Sequence, residues 1–305
     1  MMKSYKKVLN SMPKYSGLRV LTEDEIKKLR KVFLQGLTDM TRVCEKYNLT
    51  VMLIGGSVLG AVRHQGFIPW DDDLDIAMTR ADYNILKRVF EKELGDKYFL
   101  AAPNYKGNAR NRFPQIFVKD TVFLEVENSD PNSGIKIDLF IIENIPSGYI
   151  RRIIKGCWCS ALMFMASNAT TYQENSNLLK RYMYQTKEGE KYYKRKMKLG
   201  RLFSFIEEQK WFNIVEKACQ YNKRTNLMGI PTGRGHYFGE IRPRNTFLPI
   251  SHGMFEDIVV NLPGNPDDYL SNLYGDYKTI PAEDKREQHF IYDIKFSNDN
   301  EKSVR

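Results

Sequence analysis

Cysteine, long apolar runs and internal repeats are scarce or absent in this sequence. It contains only four cysteines, Cys44, Cys157, Cys159 and Cys219. They form neither paired CxxC elements nor regular disulfide spacing, so neither a structural zinc site nor an oxidised framework is expected. The most apolar patch, residues 157–166, has about half of the roughly 20 residues that a membrane span requires. Because the N-terminus also lacks an apolar stretch of signal-peptide length, the sequence predicts a reducing, cytoplasmic location.

The composition is that of a globular enzyme with an uneven charge. The 305 residues are 42% hydrophobic and 28% charged, which argues against a disordered or collagen-like chain. The formal net charge of +10 indicates anionic partners. Residues 148–201 hold twelve Lys and Arg against three Glu, a net +9, so nearly all of the excess lies there. This shift predicts three parts: a catalytic core (1–147), a basic helical region (148–228) and a C-terminal segment (229–305) that returns to the active site.

Hydrophobic periodicity and turn signals predict alternating strands and helices. Thr22 and Glu25 form a capping box before a helix over residues 23–47. A strand at 50–54, a turn, a helix at 57–65, a strand at 73–78 and a helix from Thr79 to 93 follow. We then expect strands near 113–119, 121–127 and 135–142, basic helices over 178–200, another helix over 203–225, a short strand at 258–264 and a helix at 267–274.

Three aspartates alternate at the start of the second predicted strand. Asp71, Asp73 and Asp75 would share one face if the strand extended that far. Unit charges about 4 Å apart repel by roughly 4 kcal/mol at an effective dielectric near 20, so a cation or raised pKa values should accompany them. Hard oxygen ligands favour Mg²⁺ or Mn²⁺. Asp138, the lone acid of an apolar strand, would lie opposite Ile137 and Leu139, where it could complete a metal site with Asp73 and Asp75.

A glycine turn precedes these acids. Gly55, Gly56 and Ser57 lie between a strand and a helix, where free backbone N–H groups would allow close approach of a phosphate. Arg63 could neutralise a phosphate oxygen or pair with one of the aspartates. Metal, backbone dipole and arginine together are typical of phosphoryl or nucleotidyl transfer. Simpler readings are an exposed acidic strand end, a plain turn, and an Asp138 that pairs with Lys136.

Two separated motifs resemble one family. The segment GGSVLGAVRHQGFIPWDDDLDIAM resembles the LicD phosphotransferases, which include bacterial phosphocholine transferases and fukutin-type ribitol-phosphate transferases. The segment LPGNPDDYLSNLYGDYKTIPAEDKREQH resembles the closing motif of that family. Together they cover about a third of the chain. The fifteen residues between Ser57 and Asp73 exceed the common nucleotidyltransferase spacing but are normal for LicD-type sequences.

The resemblance implies an α/β (α+β) nucleotidyltransferase-like mixed sheet with flanking helices and a basic helical insert. It implies Asp73, Asp75 and Asp138 as ligands of Mg²⁺, with Mn²⁺ as an alternative, and the Gly56-Ser57 turn at the phosphates. Asp71 is the candidate base. Arg63, Arg286 and His289 are candidate phosphate or nucleotide contacts, although Arg286 and His289 could equally form structural salt bridges.

The implied reaction is transfer of an alcohol phosphate from a CDP-linked donor, CDP-choline first, to a glycan or lipid-linked glycan, with release of CMP. Two alternatives stay open at this point: a nucleotidyltransferase that adds NMP to a small molecule or sugar, and a non-catalytic basic protein. The basic region also allows peripheral contact with an anionic membrane on its inner face. Nucleic acid is not an expected partner, because no recognised binding module is present. The sequence does not separate choline from ethanolamine, glycerol or ribitol.

Overall fold

The structure is a computed structural model that describes residues 19–125, 134–283, 286 and 291–297. It is a mixed α/β fold in which one curled sheet is flanked by helices, as the sequence predicts. The predicted division into three parts stays a prediction.

The helices of the described residues fall into a group around the sheet and a group in the middle of the chain. The first and last parts of the chain contain α1 (Glu23–Lys46), α2 (Gly55–His64), α3 (Arg80–Leu94), α8 (His236–Gly239), α9 (Arg244–Phe247) and α10 (Pro266–Tyr274). The middle contains α4 (Tyr149–Glu174), α5 (Asn177–Met183), α6 (Lys187–Phe203) and α7 (Glu208–Cys219). We call residues 149–219 the helical region.

The strands form one large mixed sheet and two small antiparallel pairs. The large sheet contains β1 (Val51–Leu53), β2 (Asp75–Thr79), β3 (Tyr98–Ala101), β4 (Gln115–Val118), β6 (Lys136–Ile145), β7 (Leu227–Gly229) and β8 (Arg242–Pro243). Its main order is β1-β2-β6-β4-β3, and β7 joins the far end of β6. The pairs are β9 (Ser251–Phe255) with β10 (Ile258–Leu262), and β5 (Val122–Glu125) with β11 (Ile291–Lys295).

Strand β6 is the central strand, and its side chains alternate between two environments. Ile137, Leu139 and Ile141 are buried on one face. Asp138 lies on the opposite face, as the alternation of strand side chains requires. Strand β2 runs parallel to β6, whereas β4 runs antiparallel on its other side. The sheet therefore holds Asp138 between two strands.

Local signals explain where the first helices begin. The Thr22 side chain accepts a hydrogen bond from the Glu25 N–H, and the Glu25 carboxylate accepts one from the Thr22 N–H, so the predicted capping box is confirmed. Thr79 caps α3 in the same way through the N–H of Asp82. These caps fix the ends of α1 and α3 within one residue of the expected positions.

Two glycines of close approach fix α4, one inside the helical region and one against α8. A Cβ on Gly200 of α6 would lie 2.3 Å from the Asn168 carbonyl oxygen of α4. A Cβ on Gly156 of α4 would lie 2.2 Å from the Phe238 ring. Larger residues at these positions would push the packed elements apart. Across the part of the chain that the structure describes, every helix is too short or too polar to span a membrane.

Candidate functional site

Two of the predicted carboxylates lie side by side on neighbouring strands. Asp75 opens β2, and Asp138 is its partner in the parallel register with β6. Paired residues on adjacent strands point to the same face of a sheet, with Cβ atoms about 5 Å apart. The Asp138 N–H donates to the Leu74 carbonyl at 3.0 Å, which fixes the register at this point. Two acids far apart in sequence are thus brought together.

Asp71 and Asp73 precede β2 rather than belonging to it. The expectation that this strand begins at Asp73 is wrong by two residues, because the first residue of β2 in the sheet is Asp75. Asp71, Asp73 and Asp75 nevertheless lie near one buried group, the Tyr274 hydroxyl. Burial raises the pKa of Tyr274, and the three carboxylates raise it further. Tyr274 ends α10, so the C-terminal segment lies close to the acidic group.

Gly55, Gly56 and Ser57 form the first turn of α2 rather than a separate turn before it, so the prediction that this helix begins at residue 57 is wrong by two residues. The aspartates lie beside this first turn. Gly55 has a φ of +55°, and a Cβ on it would lie 2.7 Å from Oδ2 of Asp75. A Cβ on Gly56 would lie 3.0 Å from Oδ2 of Asp71. Only glycine combines this backbone conformation with such close carboxylates. The turn and the acids therefore form one continuous site.

Two hydrogen bonds fix this turn. The buried hydroxyl of Ser57 accepts a hydrogen bond from the Asp75 N–H at 2.9 Å. The Gly55 N–H donates to the Tyr269 hydroxyl at 3.2 Å. Ser57 thus positions the start of β2, and the Gly55 N–H is directed toward a side chain of the same protein, Tyr269. The phosphate role of Gly55, Gly56 and Ser57 stays a prediction.

Asp138 is half-buried and held by an amide. Its Oδ1 accepts a hydrogen bond from Nε2 of Gln115 on β4 at 2.9 Å. Burial raises the pKa of Asp138, although the charge of Lys136 and the Gln115 hydrogen bond oppose the rise. The ammonium group of Lys136 forms its ion pair with Glu125, so Lys136 does not serve Asp138 alone. A carboxyl with a raised pKa beside a second acid is typical of functional sites.

The donor atoms suit a hard divalent ion, but the side chains are not gathered into a finished metal site. Asp75 and Asp138 supply carboxylate oxygens from neighbouring strands, and Asp73 lies two residues before Asp75. Within the described residues, no three His, Cys, Asp or Glu side chains are grouped to hold a metal ion. The metal site of Asp73, Asp75 and Asp138 therefore stays a prediction that requires the carboxylates to converge.

The predicted phosphate partners bind the C-terminal segment. Nη1 of Arg63 donates to the Tyr277 carbonyl at 2.8 Å. The guanidinium carbon of Arg286 lies 4.3 Å from the ring centroid of Trp70, and that of Arg63 lies 5.9 Å from it. Trp70 immediately precedes Asp71, so both arginines border the acidic group. His289 lies outside the described residues.

Sequence reasoning missed an arginine in the glycine-rich loop over residues 230–239 and an acid directly after this loop. Glu240 is buried directly after this loop, and burial raises its pKa to about 7 although it accepts a hydrogen bond from the Gly235 N–H. Its charge also raises the pKa of the buried Tyr269. The Arg234 guanidinium lies 5.5 Å from the ring centroid of Tyr274. The three glycines predict that the backbone turns in this loop, but they do not predict which residues the loop contacts.

Comparisons with known proteins connect this chain with one family. Residues 48–155 match the family model described as the LicD/FKTN/FKRP nucleotidyltransferase domain. The chain is 25% identical over 254 residues to a lipopolysaccharide cholinephosphotransferase, LicD, of Haemophilus influenzae, and the match covers 82% of this chain and 89% of that protein. It is also 36% identical over 75 residues to an uncharacterized protein of Rickettsia prowazekii, covering 23% of this chain and 28% of that protein.

Proposed function

The chain belongs to the LicD family, and on this premise we propose that it transfers phosphocholine, or a related alcohol phosphate, from a CDP-linked donor to a glycan hydroxyl. CMP is the leaving product. The acceptor is a cell-surface glycan precursor of the lipopolysaccharide, teichoic acid or capsule type. The observation that carries the proposal is the pairing of Asp75 with Asp138 beside the Gly55-Gly56 turn. The printed name of the Haemophilus influenzae relative supports choline phosphate as the group and lipopolysaccharide as the acceptor class.

The residues of the site divide the work of phosphoryl transfer. In this mechanism the acceptor oxygen forms a bond to the phosphorus distal to cytidine, and the bond from that phosphorus to the CMP oxygen breaks. Asp71, whose Oδ2 faces Gly56, takes the proton of the acceptor hydroxyl. Arg63 and Arg286 border the phosphates. Asp73, Asp75 and Asp138 would hold Mg²⁺, or Mn²⁺ in its place, and the bound ion would supply positive charge against the pyrophosphate.

The decisive experiment measures CMP released from CDP-choline with Mg²⁺ and deacylated lipopolysaccharide as acceptor. We expect Asp75→Asn and Asp138→Asn each to reduce release by about 10³-fold or more, because each removes an anionic ligand without changing core volume. Asp96→Asn, an exposed acid in the turn after α3, is the matched control and should retain wild-type activity. Unfolding in urea should confirm that all three variants fold.

Two outcomes would count against the proposal. Wild-type release by Asp75→Asn would refute the assignment of the site. Release of pyrophosphate from CTP, with a nucleotide attached to the acceptor, would identify a nucleotidyltransferase that uses the same aspartates. Parallel assays with CDP-ethanolamine, CDP-glycerol and CDP-ribitol would identify the donor alcohol.

We also propose that the enzyme contacts an anionic membrane surface through the start of α4. Ile150, Ile154 and Trp158 recur every four residues and are 74%, 65% and 58% exposed. The helical region that carries them holds most of the net positive charge of the chain. An exposed apolar stripe with Trp in a basic region is typical of helices that lie on a membrane surface. Such contact would bring the enzyme to a lipid-linked acceptor.

A further inference from the structure

A cavity lies within the helical region, at the side that Arg112 and His236 border. It has a volume of about 290 Å³ and lies between α4 and α6. Arg112, Arg195, Lys196 and His236 line it, together with polar, apolar and aromatic side chains of α4 and α6. The volume is at the small end of the range for ligand pockets and suits one sugar ring with a charged group.

The helices that form the cavity are locked in place. Gly200 allows α6 to approach the backbone of α4 at Asn168, which is buried and donates its side-chain amide to the Phe164 carbonyl. Gly156 allows Tyr237 and Phe238 to pack on α4 beside His236. The walls are thus fixed by close packing, which favours a preformed ligand site.

The lining combines positive charge with apolar and aromatic surface. Among the lining residues, Arg112, Arg195 and Lys196 are cationic and none is acidic. Burial and the charge of Arg112 lower the pKa of His236, so its imidazole is not counted among the charges. Nζ of Lys196 is held by the hydroxyls of Ser167 and Thr171 at 3.1 and 2.9 Å, so its charge is positioned toward α4. Phe164 and Tyr192 offer ring faces of the kind that pack on the C–H faces of a sugar. Cationic groups around an apolar wall select an anion that carries a ring or chain.

Arg112 connects the cavity with the paired carboxylates. It lines the cavity, and its Nη2 donates to the Thr232 carbonyl of the glycine-rich loop at 3.3 Å. Three residues later, Gln115 donates to Asp138. The charge of Arg112 also acts on both Asp138 and His236. A ligand held in the cavity is therefore next to the segment that carries the reactive site.

We propose that this cavity binds an anionic sugar of the acceptor glycan, one that carries a phosphate or a carboxylate. The inference rests on the proposed function, because it names the acceptor chemistry of that reaction. The donor pyrophosphate fits the cavity less well. A CDP-linked alcohol is much larger than a single sugar, and its phosphates belong beside the carboxylates that hold the divalent ion.

Calorimetric titration of the full chain tests this inference with defined probes. Glucose 6-phosphate and glucuronate supply the two anionic groups, and glucose is the neutral probe. CDP-choline with Mg²⁺ is titrated separately. We expect both anionic sugars, or one of them, to bind the wild type at least tenfold more tightly than glucose. Arg195→Gln should weaken that binding by at least fivefold and leave the affinity for CDP-choline unchanged.

The control is Arg201→Gln, which removes the same charge from an exposed position near the end of α6 that is outside the lining. The inference is overturned if glucose binds as well as the anionic sugars, or if Arg195→Gln and Arg201→Gln have equal effects. It is also overturned if Arg195→Gln weakens CDP-choline instead. Failure of the wild type to bind CDP-choline would count against the proposed function and not against the cavity.

Discussion

The sheet and the helical region use their apolar residues differently. In β6, Ile137, Leu139 and Ile141 are all buried, so the apolar pattern is used entirely for packing. In α4, Cys159 and Leu162 are buried against the other helices, whereas Ile150, Ile154 and Trp158 stay exposed. The contrast teaches that the apolar residues of β6 serve only to pack the core. The helical region also exposes apolar residues to solvent, and we infer that this exposed surface contacts substrate or membrane.

One buried charge network joins the two regions. Arg80, at the start of α3, forms ion pairs with Glu143 of β6 and with Glu216 of α7. Its Nε donates to Oε1 of Glu143 at 2.9 Å. All three side chains are nearly inaccessible to solvent. The network makes the stability of the helical region depend on the sheet.

Breaking this junction should produce the largest change in stability. Arg80→Met removes the only cation of the triad and leaves two buried carboxylates facing each other. We expect a loss of about 3–5 kcal/mol in the free energy of unfolding, measured by urea denaturation at pH 7. Arg88→Met, an exposed arginine on the same helix, is the control and should change stability by less than about 0.5 kcal/mol. Equal effects of the two substitutions would mean that the regions are joined elsewhere.

Glu240, directly after the glycine-rich loop, should have a smaller effect on stability, and this effect should depend on pH. Glu240 has a pKa of about 7 in the folded chain against an ordinary value of 4.5, chiefly because it is buried. The unfolded chain therefore releases this proton first as the pH rises. Stability contributed by the protonated form is present below about pH 4.5, declines up to about pH 7 and is then lost. Over that interval the decline from Glu240 is about 2–3 kcal/mol.

Glu240→Gln should flatten the pH dependence, because the amide stays neutral. Urea midpoints between pH 5 and pH 8 would measure the change. Asp138 also has a raised pKa, so some decline should persist in the variant. Glu207→Gln, at a side chain that is 77% exposed, is the control and should leave the slope unaltered. If wild type and Glu240→Gln give parallel curves, Glu240 is already ionised in the folded chain.

Local patterns in the sequence were enough to place the central elements. The apolar alternation around Asp138 predicts its face correctly, because burial of Ile137 and Leu139 forces that orientation. Capping residues predict the starts of α1 and α3. The sequence analysis did not predict β3 and β9. Each has only four or five residues with few β-branched side chains, and each is stabilised by pairing with a neighbouring strand.

Long-range convergence could not be obtained in the same way. The approach of Tyr269, 214 positions after Gly55, depends on how α10 packs on α2. Glu240 and Arg234 lie in a loop whose glycines show only that the backbone turns. Neither composition nor periodicity measures distances between separate segments. The acidic motif therefore indicated the chemistry of the site, and the structure added the residues around it.

The smallest effect on stability is expected at the exposed apolar residues of α4, which differ most from the buried residues of the sheet. Ile154→Ser should change the free energy of unfolding by less than about 0.5 kcal/mol, because Ile154 is 65% exposed. It should nevertheless weaken binding to vesicles rich in phosphatidylglycerol by roughly fivefold, since about 1 kcal/mol of apolar burial is lost.

Ile280→Ser, at a 52% exposed position of the C-terminal segment, is the matched control and should bind vesicles as the wild type does. Co-sedimentation with these vesicles and with neutral phosphatidylcholine vesicles measures both. If the two substitutions weaken binding equally, apolar exposure alone is responsible, and the helical region has no special role at the membrane.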